Sequence, residues 1–164
     1  LLRISYQRLT EYLVENQEKF YRLAYSYLLN REDALDAVQN AVCKALEKFQ
    51  NIRNAEALKA WFYRILVNEC YDRLRARGRM QFYSPEELDL GSYEDPTPQD
   101  DSLQKKVDLL PAEIQTIIRL RFYEEFSLKE ISEVTGCNIN TVKTRLYTGL
   151  KKLRVTMEGE DAYE

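Results

Sequence analysis

Histidine is absent from all 164 residues, and cysteine is limited to three widely spaced positions, Cys43, Cys70 and Cys137. Without histidine the chain lacks the commonest general base, the usual triad partner and the side chain that titrates near neutrality. Zinc sites want close Cys or His pairs, and none is present. Three scattered cysteines on apolar helical stretches read as buried, reduced thiols and so point to a cytoplasmic setting. Breakers are scarce too, with five glycines and four prolines against 45% hydrophobic residues, a composition suited to packed helices. No apolar run approaches the roughly 18 to 20 residues of a membrane span, and no charged-then-apolar leader opens the chain. A soluble protein with no membrane contact of its own is expected.

What the chain does have is charge, unevenly placed. The net value of -3 conceals two basic blocks. Residues 1–82 hold 14 Lys and Arg against 10 Asp and Glu, and residues 109–154 hold 8 against 5. Between them, residues 83–108 carry 2 against 8, and the last ten residues add four more acidic groups. Such asymmetry separates nucleic-acid-facing modules from solvating segments.

Periodicity divides the chain in the same places. Apolar residues recur at helical spacing from Tyr6 to Leu29, predicting one or two helices. Asn30 is placed to cap the next, whose apolar face runs Ala34, Val38, Ala41, Val42, Ala45, Phe49. A third helix, from about Ala57 to Arg77, turns Leu58, Phe62, Ile65 and Leu66 inward and ends at Gly78. Residues Ser84 to Ser102 contain three of the four prolines and most of the acidic excess, the composition of a linker, with Leu90 and Tyr93 apolar enough to dock. Beyond it Pro111 starts a helix with Ile114, Ile117 and Ile118 inside. Ser127-Leu128-Lys129-Glu130 is a capping box opening a short helix, Gly136 permits a tight turn, and Asn138 caps a last helix carrying Val142, Leu146, Leu150 and Leu153. The expected architecture is all-α: two small helical domains, 1–82 and 109–155, joined by an acidic flexible linker, 83–108, and followed by an acidic tail, 156–164.

Three surfaces carry possible chemistry. Helix, glycine turn and helix from Ser127 to Arg154 make a helix-turn-helix, with Ile131 and Val142 meeting in the angle. From Ile139 to Arg154 its last helix bears Lys143, Arg145, Lys151, Lys152 and Arg154 with no acidic residue, which favours phosphates, while Asn140, Thr141, Lys143 and Thr144 stand where base edges are read. On the third helix Trp61, Arg64, Asn68, Tyr71 and Arg75 fall in one stripe. Indole, phenol, amide and guanidinium together suit unstacked bases and their phosphates. Equally, Trp61 and Tyr71 pack against the amino-terminal helices while the arginines are merely solvated. The second helix aligns Asp33, Asp36 and Asn40 with Gln39 beside them. Paired carboxylates invite an acid-base reading, but no nucleophile or metal partner accompanies them, and a partner-binding face fits better.

These residues resemble the extracytoplasmic-function branch of the sigma-70 family over nearly the whole chain. Tyr21 to Tyr25, Asn30 to Ala34, Asp36 to Gln39 and Trp61 to Ile65 with Asn68 are similar to its sigma-2 domain. Leu110-Pro111, Leu128 to Ile131, Gly136 and Asn140 to Leu146, closing at Leu153-Arg154, look like its sigma-4 domain. The resemblance implies a promoter-reading subunit of RNA polymerase, not an enzyme, using no metal or nucleotide cofactor. Asp33, Asp36, Gln39 and Asn40 would then dock on the largest subunit of core polymerase. Lys59, in the loop from Gln50, with Trp61, Arg64, Asn68, Tyr71 and Arg75, would melt the minus-ten element and hold an extruded base, whose unstacking costs a few kcal/mol that the pocket must offset. Lys143, Thr144 and Arg145, with Asn140, Thr141 and Lys151 on the same helix, would contact the minus-thirty-five element. A dedicated anti-sigma factor is the expected inhibitory partner.

The chain departs from the family pattern at Asn138 and Asn140, at Ser132 where alanine is usual, and at Thr148-Gly149-Leu150, where a mid-helix glycine costs roughly 1 kcal/mol relative to alanine. Two other classes remain. A stand-alone helix-turn-helix regulator predicts tight operator binding without polymerase, and a hydrolase using Asp33 and Asp36 predicts turnover to which DNA is irrelevant.

Overall fold

Helix signals this dense leave little chain for anything else, and among the described residues there are eight α-helices, two 3-10 turns and no strand. The computed structural model describes residues 4–78 and 103–161. The segment 79–102, which includes Leu90 and Tyr93, and the end of the tail, 162–164, lie outside the described residues.

The amino-terminal run splits into α1 (Tyr6–Glu15) and α2 (Gln17–Leu28). Ser5 caps α1 through a hydrogen bond from the Arg8 N–H, and Leu29, left-handed at φ 52°, ends α2. Helix α3 (Arg31–Lys48) opens as expected, with the Asn30 side chain accepting the Asp33 N–H at 3.0 Å. Its buried face is a stripe of alanines, Ala34, Ala37, Ala41 and Ala45, while Val38 and Val42 are only half-buried. Small side chains let α2 and α4 (Leu58–Ala76) lie close on either side. The stripe also corrects the reading of the thiols. Cys70 is buried and Cys137 half-buried, but Cys43 points outward from α3 because the buried face is centred on Ala37 and Ala41. Phe20 and Phe62, fully buried with rings 4.4 Å apart, fill the centre of this bundle.

Two 3-10 turns, Phe49–Asn51 and Ala55–Ala57, lead into α4. Gly78, at φ 67°, follows its last turn. The carboxy-terminal module holds α5 (Leu103–Asp108), α6 (Ala112–Phe122), α7 (Leu128–Thr135) and α8 (Ile139–Asp161). Helix α5 occupies the end of the segment read as linker, and α8 runs on through the start of the segment read as tail. Both bonds of the Ser127–Glu130 capping box are present, and Gly136, at φ 74°, ends α7. Ile131 and Val142 are fully buried.

Two departures from the family pattern find their reason here. The Ser132 hydroxyl donates to the Cys137 carbonyl at 2.5 Å and so closes the turn between α7 and α8, which alanine cannot do. A Cβ on Gly149 would stand 2.6 Å from Ile114 Cγ2 and 3.2 Å from Ile118 Cδ1, so the glycine lets α8 approach α6.

The two modules do not stand apart. Their apolar residues form one continuous cluster, from Ile4 through Phe62 and Tyr63 to Phe126, Ile131 and Leu153. Helix α4 is the seam, because α7 packs directly along it.

Candidate nucleic-acid and partner interface

The helix-turn-helix turns most of the residues expected to contact bases towards solvent. Asn140, Lys143, Thr144 and Lys151 are exposed on α8, Thr141 and Arg145 half-buried. The turn is stiffened from within, since Asn138 Oδ1 accepts the Asn140 N–H at 2.8 Å and Arg145 Nη1 lies 3.4 Å from the Cys137 sulfur. Tyr147, 70% exposed, joins this face although the sequence reading does not include it. Its signal is its place four residues after Lys143 and four before Lys151, which puts all three on one face.

The acidic face of α3 is divided. Asp36, Gln39 and Asn40 are exposed, as is Leu35, an apolar residue outside the expected polar set. Asp33 is engaged internally: its carboxylate pairs with Arg77 and stands 4.0 Å from Arg73, while Arg77 Nη1 also donates to the Leu28 carbonyl. The pair ties the start of α3 to the end of α4.

On α4 the stripe is split between solvent and the second module. Arg64, Asn68 and Arg75 are exposed, and Trp61 is half-buried against the core. Lys59, Arg64 and Tyr71 reach across the seam. Lys59 Nζ lies 2.6 Å from Glu130 Oε2 and 4.2 Å above the Phe126 ring. Burial alone would raise the Glu130 carboxyl, but Lys59 and the Ser127 cap together hold it below its ordinary value. Arg64 Nε donates to the Val134 carbonyl at 3.1 Å, capping the negative end of α7. The Tyr71 hydroxyl donates to the Ala112 carbonyl at 3.0 Å and is also bonded to the Thr116 hydroxyl. Thr116 in turn meets the Tyr27 hydroxyl at 2.7 Å. Burial pushes the Tyr27 phenol up to about 12 and Tyr71 well above its usual value, so both stay protonated as hydrogen-bonding groups.

Beside this network Arg119 has no accessible surface. Its Nη2 donates to Asp108 at 2.6 Å and its guanidinium lies 4.6 Å over the Tyr27 ring, yet Nε and Nη1 have no partner. At the far end of the seam Tyr63 donates to Glu124 at 3.1 Å, and burial holds that carboxyl above its ordinary value. Among the described residues no cluster is arranged to hold a metal ion, and no helix is long and apolar enough to cross a membrane.

Fold and surfaces together define a two-module helical protein whose second module is a helix-turn-helix and whose first offers a mixed aromatic and basic helix beside an acidic one. The family models for Sigma-70 region 2 and Sigma-70, region 4 match residues 13–80 and 100–153. RNA polymerase sigma factor SigV of Bacillus subtilis is 43% identical over 150 residues, spanning 91% of this chain and 90% of that protein. ECF RNA polymerase sigma factor SigW of the same organism is 30% identical over 155 residues, spanning 84% and 82%. In fold the chain is similar to the sigma factor RpoE in its complex with the anti-sigma factor NepR from Bartonella quintana, with a TM-score of 0.67, 24% identity and coverage of 91% and 96%. It is also similar to CnrH in its complex with the cytosolic domain of CnrY, with a TM-score of 0.70, 18% identity and coverage of 94% and 90%. The chain belongs to the extracytoplasmic-function branch of the sigma-70 family of RNA polymerase sigma factors.

Proposed function

We propose that this sigma factor divides its labour by module, residue by residue, as follows. Residues 1–82 bind core polymerase and the minus-ten element, 109–155 read the minus-thirty-five element, and the acidic stretch 83–108 between them occupies a polymerase channel otherwise made for nucleic acid. Asp36, Gln39 and Asn40, with Leu35 as an apolar anchor, form the core-docking face, and Asp33 supports it from behind. Asn68 and Arg75, with Trp61, Lys59, Arg64 and Tyr71, engage the melted strand. Lys143, Thr144 and Arg145, flanked by Asn140, Thr141 and Lys151, enter the major groove.

The observation that carries this reading is the recognition helix, whose Lys143 and Thr144 stand in solvent beside a turn closed by Ser132 and Asn138. A side chain that reads a base edge must be accessible and rigidly aimed, and the Thr144 hydroxyl, which donates to the Asn140 carbonyl at 2.9 Å, keeps its oxygen as an acceptor. The factor performs no chemistry itself and works in the cytoplasm. A protein anti-sigma factor regulates it, and the exposed apolar residues Tyr25, Leu29 and Tyr123 at the edge of the seam offer such a partner anchors on both modules at once. Run-off transcription with purified core polymerase on genomic fragments tests the whole. Promoter-specific transcripts that require the chain are expected, and transcripts independent of it overturn the reading. A stand-alone regulator would instead bind its DNA tightly with no polymerase present.

A further inference from the structure

We propose that Asn140 reads an adenine in the minus-thirty-five element through its side-chain amide, with Asn138 as the residue that aims it. This role rests on the assignment of α8 to that element and names the base read there. Asn138 and Asn140 are positions where the chain departs from the family pattern, and the structure couples them. The Asn138 side chain accepts the Asn140 N–H at 2.8 Å and its carbonyl accepts the Val142 N–H at 3.0 Å, so Asn138 caps α8. From the other side the Thr144 hydroxyl donates to the Asn140 carbonyl. Both backbone groups of Asn140 are thereby held. Its side chain stands in solvent, and its amide bonds to nothing among the described residues.

Donor and acceptor chemistry selects the base. In the major groove adenine presents the N7 acceptor beside the N6 amino donor, guanine two acceptors, cytosine an amino donor, and thymine one acceptor with a methyl group. Of the six residues of α8 assigned to the element, Lys143, Arg145 and Lys151 can only donate. One Arg145 nitrogen is also turned back to the Cys137 sulfur at 3.4 Å. The Thr144 hydrogen is committed to the Asn140 carbonyl, and Thr141 is half-buried. Asn140 alone sets a donor, Nδ2, beside an acceptor, Oδ1, in one plane, and as a bidentate pair these complement adenine. Its place suits the task, because the first turn of a recognition helix is the part that meets base edges. Lys143 follows on the same face, about 4.5 Å further along the helix axis against roughly 3.4 Å per base pair. The adenine should therefore lie one or two base pairs from any guanine that Lys143 reads.

The test uses holoenzyme assembled from the full chain and core polymerase, on barcoded templates randomised across the minus-thirty-five element, with the run-off transcripts sequenced. Wild type should favour adenine at one position by about tenfold. Asn140→Ala, at an exposed position where alanine suits a helix, should lose that preference to within about twofold while preferences at the other positions hold. Asn140→Asp keeps the shape but can only accept, and should move the same position from adenine to cytosine. A template with 7-deazaadenine at that position lacks N7 and keeps its base pairing. It should cost wild type about threefold or more and Asn140→Ala nothing.

An adenine preference that survives Asn140→Ala overturns the proposal, as does the lack of one in wild type. A loss spread evenly over all positions does so too, since it marks a phosphate contact. Equal responses of the two chains to 7-deazaadenine, or an Asn140→Ala chain inactive on every template, are likewise refutations. Wild-type transcription indifferent to the whole element would refute the assignment of residues 109–155, whereas element-dependent transcription indifferent to residue 140 refutes the adenine contact alone.

Discussion

Asp33 and Asp36 lie three residues apart on one helix, and only their surroundings tell them apart. Asp33 is paired with Arg77 and near Arg73, whereas Asp36 is exposed. Because the Asp33 side chain is 34% exposed, solvent screens the pair, and Asp33→Ala should cost no more than about 1 kcal/mol, read as a lower urea midpoint. Asp36→Ala should leave that midpoint alone and weaken capture of core polymerase. A shared loss of stability in both variants would refute the division. Asn68 offers a second contrast, being exposed in a stripe whose neighbours are engaged. Asn68→Ala should reduce permanganate reactivity of minus-ten thymines while polymerase binding and the unfolding midpoint hold. Reactivity equal to wild type would remove Asn68 from the strand-binding set. Residue types were legible in the sequence here, but partners were not: nothing in the spacing of Asp33 and Arg77 reveals that the chain brings them together.

At the scale of the element, local rules carried further. Asn30, Ser127 and Gly136 mark helix boundaries through bonds made within a few residues, and each is where the sequence places it. What failed to show was anything decided by a helix lying across. Periodicity offered Val38 and Val42 for the buried face of α3, yet close approach of α2 and α4 selects the alanines. Gly149 reads as a simple loss of helix propensity, but its missing Cβ is the space that Ile114 and Ile118 occupy. The two effects oppose each other in Gly149→Ala. Alanine gains about 1 kcal/mol in helix propensity, and overpacking against a β-branched side chain on a neighbouring helix costs about 1 to 3 kcal/mol. A Cβ at 2.6 Å from Ile114 puts the balance on the side of the clash. The variant should melt a few degrees below wild type, since about 1 kcal/mol moves a chain of this size by about 2 to 4 °C. A raised melting temperature would mean that α8 shifts freely on α6 and the close approach has no consequence.

Over the whole molecule the sequence describes two modules and is silent on the seam, because no periodicity reports which exposed stripe of one helix meets another module. The Trp61 to Arg75 stripe supports both a nucleic-acid face and a packed one, and the structure divides it: Tyr71 and the exposed Arg64 bond across the seam, as does Lys59 just before the stripe, while Asn68 and Arg75 face water. The packing of the second module on the first, the closed form of the chain, should therefore respond to pH through Glu124. Lys19 and Arg22 of α2, Lys59 and Tyr63 of α4, and Tyr12 of α1 surround this carboxyl, and Glu130 lies near Tyr12 as well. Burial raises it above the ordinary 4.5 despite the cations and the Tyr63 bond. A carboxyl raised in the closed chain binds its proton more tightly there than in the open one, so protonation favours closure. That contribution is present at pH below the ordinary value and is lost as pH rises through the raised one. Glu130, lowered by Lys59 and Ser127, acts in the opposite sense, and its contribution to closure fades only as pH falls below the ordinary range. Scattering on the free chain should thus show expansion as pH is raised upward from the ordinary carboxylate range, ahead of any unfolding. Glu124→Gln replaces the carboxylate with a neutral acceptor for Tyr63, and should keep the chain compact across that interval with the slope abolished. If the slope survives the substitution, the proton that governs closure sits elsewhere, and the Tyr63–Glu124 contact is a bystander at the seam.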